Sequence, residues 1–316
     1  MKNKFPNSED LLSAKKYVQK YAHRTPIMSS WQINEKLGCT VYFKSEHLQK
    51  TGSFKARGAL NALMSLMEEG MPKGVVTHSS GNHGQALAWA AKILGIRVVV
   101  VIPRNAPEVK VAAVKAYGAE IVFCEPNLES REKQCLEIHE ERGFDMVPPF
   151  DDYRIIAGQS TMMQEVLEQI EDFDSAVIPV GGGGLISGSL LAVENDGRAL
   201  KIFGAEPSAS GDAIESFRSG IRVKKGGADT IADGLRTALG ERNFDIISKK
   251  AEDILPASEE NIQIVLKWIY LYLKQAVEPS AAVSLAAILE NADRFRGKKV
   301  VSILCGGNLD LKALPF

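Results

Sequence analysis

The chain has little of what specialised proteins depend on. Its 316 residues hold four cysteines, Cys39, Cys124, Cys135 and Cys305, and none forms a CxxC pair. That argues against a disulfide framework and for free thiols in a reducing compartment. There is no excess of one charge. The formal net charge is −1, so no electrostatic case exists for nucleic acid or an anionic membrane surface. No uncharged apolar run reaches the roughly 20 residues that span a bilayer. The opening residues, Met1-Lys2-Asn3-Lys4-Phe5-Pro6, lack the apolar stretch of a signal peptide. There is no repeat and no low-complexity tract. What remains is 45% hydrophobic and 24% charged, as in soluble globular proteins. The length suits two domains that share a cleft. A cytosolic enzyme is the expectation.

Short apolar strands alternate with amphipathic helices. Strands are expected at 41–44, 74–77, 97–102, 120–123, 175–180, 202–205 and 299–304. Helices are expected at 59–69, 84–94, 108–117, 158–170, 185–194, 261–274 and 280–291. Apolar strands flanked by helices give parallel sheets covered on both faces. The expected class is therefore α/β, with two open, mostly parallel twisted sheets. Boundaries are expected near 74 and 150. Residues 1–73 and 151–316 would form a large domain, and 74–150 a small inserted one.

Three segments carry chemistry. The run Gly52-Ser53-Phe54-Lys55-Ala56-Arg57-Gly58 follows a strand and sets one lysine among small residues. A lysine held there, partly desolvated, has a lowered pKa and serves as a nucleophilic amine that forms a Schiff base with a carbonyl cofactor. Gly181, Gly182, Gly183 and Gly184 lie between a strand and a helix. Their N–H groups and the helix N-terminus make a phosphate cradle. Aldehyde anchor and phosphate cradle are the two ends of pyridoxal 5′-phosphate. Ser79, Ser80, Gly81, Asn82 and His83 sit at a third strand-to-helix junction, where a carboxylate would dock. His83 reads as a hydrogen-bonding prop rather than a base. Cys305, before Gly306-Gly307-Asn308, ends the last strand and either meets a ligand or is packing. Glu206, Ser210 and Asp212 share one turn. Their oxygens suit Mg²⁺ or Ca²⁺, but locally the segment reads as a solvated turn with Asp212 capping a helix.

Taken together, these segments and Ala232-Asp233-Gly234 resemble the serine racemase and serine/threonine dehydratase family of fold type II pyridoxal-phosphate enzymes. The resemblance runs from Thr25-Pro26 to Asn308. It implies that the cofactor sits in the cleft between the large and small domains, bonded to Lys55. Phe54 would pack on the pyridine face, and Asn82 would bond the ring hydroxyl. Gly181 to Gly184 would hold the phosphate with Gly234 nearby, and Cys305 would face the pyridine nitrogen. Residues 79–83 would clamp the substrate carboxylate. It also implies a metal site at Glu206, Ser210 (through its carbonyl) and Asp212, and a homodimer. ATP, as an effector, would meet Lys50, Thr51, Gln85, Tyr117, Lys274 and Asn308. Phe150 departs from the polar residue of the animal racemases.

On this resemblance Lys55 removes the Cα proton of an L-amino acid and Ser80 serves the opposite face. The expected function is β-elimination from L-serine or L-threonine, to 2-oxo acid and ammonia, with serine racemisation. The alternatives are a 3-hydroxyaspartate dehydratase, which needs a cation near the second carboxylate, and a β-replacement enzyme of the cysteine synthase kind. A third is a non-catalytic pyridoxal-phosphate- or nucleotide-sensing protein.

Overall fold

The structure, a computed structural model, describes residues 5–79, 81–106, 108–226 and 229–309. Among the described residues, ten strands form two sheets: β1 (Ile27–Met28), β2 (Thr40–Lys44), β3 (Val75–His78), β4 (Val98–Pro103), β5 (Glu120–Cys124), β6 (Asp145–Met146), β7 (Ser175–Pro179), β8 (Lys201–Pro207), β9 (Asp253–Ala257) and β10 (Lys299–Ile303). The larger sheet has the order β1-β2-β10-β7-β8-β9, and the smaller has β5-β4-β3-β6. Every pairing is parallel except β1 with β2.

Residues Val98 to Pro103 of β4 are buried throughout, as are those of β7. A strand covered on both faces needs apolar side chains on both, so these two read as continuous runs rather than alternation. The larger sheet carries the main core. The smaller sheet has a core on each face. The helix Lys55–Glu69 buries Leu60 and Leu63 in one of these, where it packs against the helices Asn82–Leu94 and Tyr153–Gln169.

Two differences from the sequence expectation bear on the site. The helix expected from 59 starts at Lys55 itself. Thr51 and Gly52, at φ 60° and 71°, turn the chain sharply, and Ser53 is fixed by a bridge to Gly306. The helix expected over 261–274 leaves α geometry after Trp268. It continues as a wider turn, Ile269–Leu273, that ends on Lys274 at φ 59°. Among the described residues, no helix is long and apolar enough to cross a membrane.

Candidate active site

The site forms where strand ends meet. In parallel sheets the carboxyl ends of the strands open onto the ligand crevice. β10 lies between β2 and β7. The residues after it are therefore placed between the Lys55 segment, which follows β2, and the glycine run, which follows β7. The backbone joins them: Phe54 N donates to the Cys305 carbonyl (3.1 Å), and Gly307 N to the Gly52 carbonyl (2.9 Å).

Lys55 is half-buried, with Nζ 2.8 Å from the Pro149 carbonyl. Its amine lies 5.1 Å from the centre of the Phe54 ring and 5.9 Å from that of Phe150. Desolvation lowers its pKa to about 8, against the pull of Cys305 and Glu278. A larger fraction of neutral amine is present near pH 8 than in an ordinary lysine, which is what a nucleophile needs.

The glycine run has no room for side chains. A Cβ on Gly182 would lie 2.3 Å from the Phe150 ring. Gly183 has φ +89°, and a Cβ there would meet Leu239 at 2.7 Å. Among the described residues, no acceptor takes the amide hydrogens of Gly181, Gly182, Gly183 or Gly184. They open the helix Gly184–Asp196, whose N-terminus adds its dipole. A carbonyl compound with a phosphate fits: amine on one wall, unclaimed N–H groups on another. Gly234 is part of that wall, since a Cβ on Gly181 would lie 3.4 Å from its carbonyl, and its own N donates to Ser280 Oγ (3.0 Å).

Asn82 and His83 open the helix Asn82–Leu94 after β3. Asn82 Nδ2 donates to both oxygens of Glu278 (2.9 and 3.2 Å), and its Oδ1 accepts from Asn308 Nδ2 (2.8 Å). The His83 ring contacts the Val147 carbonyl through Nε2 (3.1 Å). Burial, with the Lys55 charge second, lowers its pKa to about 3, so the ring is neutral and Nε2 donates. Ser79 Oγ accepts from Gly81 N (3.2 Å). Ser80 lies outside the described residues. Burial pushes the Cys305 thiol well above its usual value, so it stays protonated.

Glu206 and Asp212 come together near the glycine run, since the Leu239 that bonds Asp212 also lies against Gly183. Glu206 accepts from the N–H groups of Ala213 (3.0 Å) and Ile214 (2.8 Å), and Asp212 Oδ2 from Leu239 N (2.9 Å). Burial is the main cause that raises both, Glu206 to about 7; Asp212 raises Glu206 further, whereas the hydrogen bond from Glu206 lowers Asp212. Ser210 Oγ turns to the Leu235 carbonyl (3.4 Å). Of the six possible nucleotide residues, Thr51 and Asn308 are joined, through Asn308 Nδ2 and the Thr51 carbonyl (2.7 Å). Gln85 lies on the helix that packs beside the turn Lys50–Gly52. Tyr117 packs against the smaller sheet's core, and Lys274 ends the turn after Trp268.

Sequence reasoning missed Glu278. It is buried, and burial raises it to about 7. Its partner Asn82 is 196 residues away, and only the fold makes them neighbours. Gly306 is the local trace of it, because a Cβ there would lie 2.5 Å from Glu278 Oε1. Arg131 was missed too. Its Nε is buried without a partner, and its charge acts on His78 and Cys124.

Comparison with known proteins agrees with the geometry. Residues 18–306 match the family model described as pyridoxal-phosphate dependent enzyme. The chain is 44% identical to a serine racemase of Dictyostelium discoideum, over 97% of this chain and 96% of that one. It is 42% identical to an L-threo-3-hydroxyaspartate ammonia-lyase of Saccharomyces cerevisiae, over 97% and 94%. The solved structure of maize serine racemase superposes with a TM-score of 0.95 at 40% identity, covering 98% of this chain and 96% of that one. Amine, unclaimed amides and sequence lead to one assignment: the chain belongs to the pyridoxal-phosphate dependent enzymes.

Proposed function

We propose that this enzyme converts L-serine or L-threonine to the 2-oxo acid and ammonia, and also inverts serine at Cα. The observation that carries this reading is the neutral-prone Lys55 amine, close to the protonated Cys305 thiol. The cofactor supplies the aldehyde that holds the amino acid and the ring that takes up the electron pair left at Cα. Lys55 takes the Cα proton. Cys305 would face the ring nitrogen with a thiol rather than a carboxylate, which would favour early loss of a β-hydroxyl. Residues Ser79 to His83 hold the substrate carboxylate through N–H and hydroxyl donors. Ser80 delivers a proton to the face opposite Lys55. Phe54 would lie on the ring and Asn82 would meet its hydroxyl.

Three further assignments belong to this reading. Glu206, Asp212 and the Ser210 carbonyl bind Mg²⁺ or Ca²⁺. Two buried carboxylates side by side, with raised pKa values, are short of a cation. ATP acts as an effector at Lys50, Thr51, Gln85, Tyr117, Lys274 and Asn308. The enzyme is a cytosolic homodimer. In support, Trp31 and Leu271 are exposed on two helical segments joined by the Lys36 stack on Trp268 and Tyr272.

A second reading, 3-hydroxyaspartate dehydratase, is favoured by Arg131. Its half-buried guanidinium makes no hydrogen bond or ion pair among the described residues. It acts on His78, which directly precedes Ser79. That is a cation for a second carboxylate beside the loop that holds the first. A charged hydrogen bond of this kind contributes about 1.5–3 kcal/mol, so Arg131→Met should lower kcat/KM for 3-hydroxyaspartate by about 10–100-fold more than for serine.

One experiment separates the readings. The enzyme is incubated with L-serine, D-serine, L-threonine and both threo-3-hydroxyaspartates, and 2-oxo acid and enantiomer are scored together. Strong preference for a 3-hydroxyaspartate selects the second reading. Borohydride reduction and peptide mapping should place the cofactor on Lys55. Label on another lysine defeats the assignment.

A further inference from the structure

Arg57 lies two residues after Lys55 in the same first helical turn, and its guanidinium is fully buried. All its nitrogens are engaged. Nε and NH2 donate to Glu46 (2.7 and 2.8 Å), and NH1 and NH2 to Glu165 (2.7 and 2.8 Å). NH1 also reaches Thr161 Oγ1 at 3.3 Å. Lys44 Nζ joins the same group through Glu165 (2.7 Å), Gln169 (2.8 Å) and the Thr25 carbonyl (2.9 Å). Thr25 Oγ1 donates to Glu46 at 2.6 Å. Two cations and two carboxylates, all buried, thus neutralise each other.

The elements this group ties are those that deliver Lys55. Lys44 ends β2, and Glu46 lies in the turn after it. Glu165 belongs to the helix Tyr153–Gln169. Residues 55 and 57 project about 200° apart on a helix, so Arg57 faces into the protein where Lys55 faces the cleft. Next to Arg57 the two helices touch. A Cβ on Gly158 would lie 2.7 Å from the Arg57 carbonyl and 2.7 Å from Gly58 Cα. That contact fixes the distance between the helices. A planar fork held by two carboxylates also resists rotation about the axis, which a point charge does less well.

We propose that Arg57 is the positioning residue for the Lys55 amine: its doubly anchored guanidinium sets the rotation of the first helical turn and thereby the depth of Lys55 in the cleft. The inference deepens the proposed function and rests on Lys55 being the cofactor lysine. The groups that face the amine are Phe54 on its own segment, Pro149 and Phe150, His83, Glu278 and Cys305. Of these only Glu278 changes charge near neutral pH, and it stays in place in the variants below.

The test is Arg57→Lys, which keeps the charge and loses the fork. In the holoenzyme kcat should fall by about tenfold or more with KM little changed. In the full-length chain freed of cofactor, Lys55 is labelled by pulses of acetic anhydride over a pH series and read by mass spectrometry. The labelling midpoint should move up by about one pH unit, because a looser first turn lets water reach the ammonium. Leu285→Ala, a core truncation elsewhere, should lower the melting temperature and leave the midpoint alone. If Arg57→Lys does not fold, Glu165→Gln, which removes one of the two anchoring charges, is judged by the same midpoint. An unmoved midpoint in the folded variant overturns the proposal and leaves the group as a stabilising core only. Borohydride mapping is a separate readout, so failure of Lys55 as the cofactor lysine is distinguishable from failure of Arg57.

Discussion

Glu278 holds Asn82 through both carboxylate oxygens, and its charge acts on Lys55. A carboxylate near an amine favours the ammonium, so removing it should release the proton sooner. Glu278→Gln should move the pH profile of cofactor recapture by the apoenzyme below the midpoint near pH 8 expected for Lys55. The check is the rate of growth of the visible absorption band across pH. An unchanged midpoint would show that the Glu278 charge does not set the amine. Ser80 gives a second residue-scale prediction. General acid–base groups contribute about 10²–10⁴-fold, so Ser80→Ala should cut racemisation by that order. It should spare L-serine elimination, which needs only Lys55. Chiral chromatography run beside a 2-oxo acid assay reads both, and equal losses would make Ser80 a carboxylate-binding residue.

At the scale of elements, close helix contact sets the frame of the site. A methyl on Gly158 would lie 2.7 Å from the Asn61 Cβ and from the Arg57 backbone. The surrounding main chain cannot yield as a flexible side chain would. Overpacking of this kind costs about 1–3 kcal/mol. Gly158→Ala should lower the denaturant midpoint accordingly with the slope unchanged, and a variant as stable as the parent would refute the tight crossing. The same contact shows what the sequence could reveal. The strands β4, β7 and β10 were legible because each is a buried apolar run between turn residues. The helices Ser8–Tyr21 and Leu128–Arg142 were not read, and the latter buries only Cys135 and Ile138. So narrow an apolar stripe gives little periodicity to detect. Lys55 and the glycine run were legible because their chemistry is local. Glu278 was not, because its role exists only after β2, β3 and β10 are assembled. Arg57 stood inside a quoted motif, but nothing local reveals that Glu46 and Glu165 both wait for it.

At the scale of the molecule, Glu206 and Asp212 tie stability to pH and, on the proposed reading, to metal. The folded pKa of Glu206, about 7, lies above its usual 4.5. The folded state therefore binds protons more tightly than the unfolded chain. The stability this contributes is complete below about pH 4.5 and is lost as pH rises through about 7. A divalent cation at the ionised pair, as proposed above, would reverse that trend. The rise in melting temperature on adding Mg²⁺ or Ca²⁺ after chelation should accordingly be small near pH 5 and grow towards pH 8. Glu206→Gln should flatten that growth. A cation effect independent of pH would show that metal acts elsewhere.

β10 sits between β2 and β7, yet of the described strands of the larger sheet it is the last to be synthesised. A ribosome completes Lys55 and the glycine run long before residues 299–305 exist. Until those residues arrive, β2 and β7 have open edges towards each other, and Cys305, which joins their two halves of the site, is missing. The cofactor therefore has no finished place to bind during most of translation. Nascent chains stalled before residue 299 should bind chaperones through those edges and remain colourless, whereas chains released after residue 305 should turn yellow.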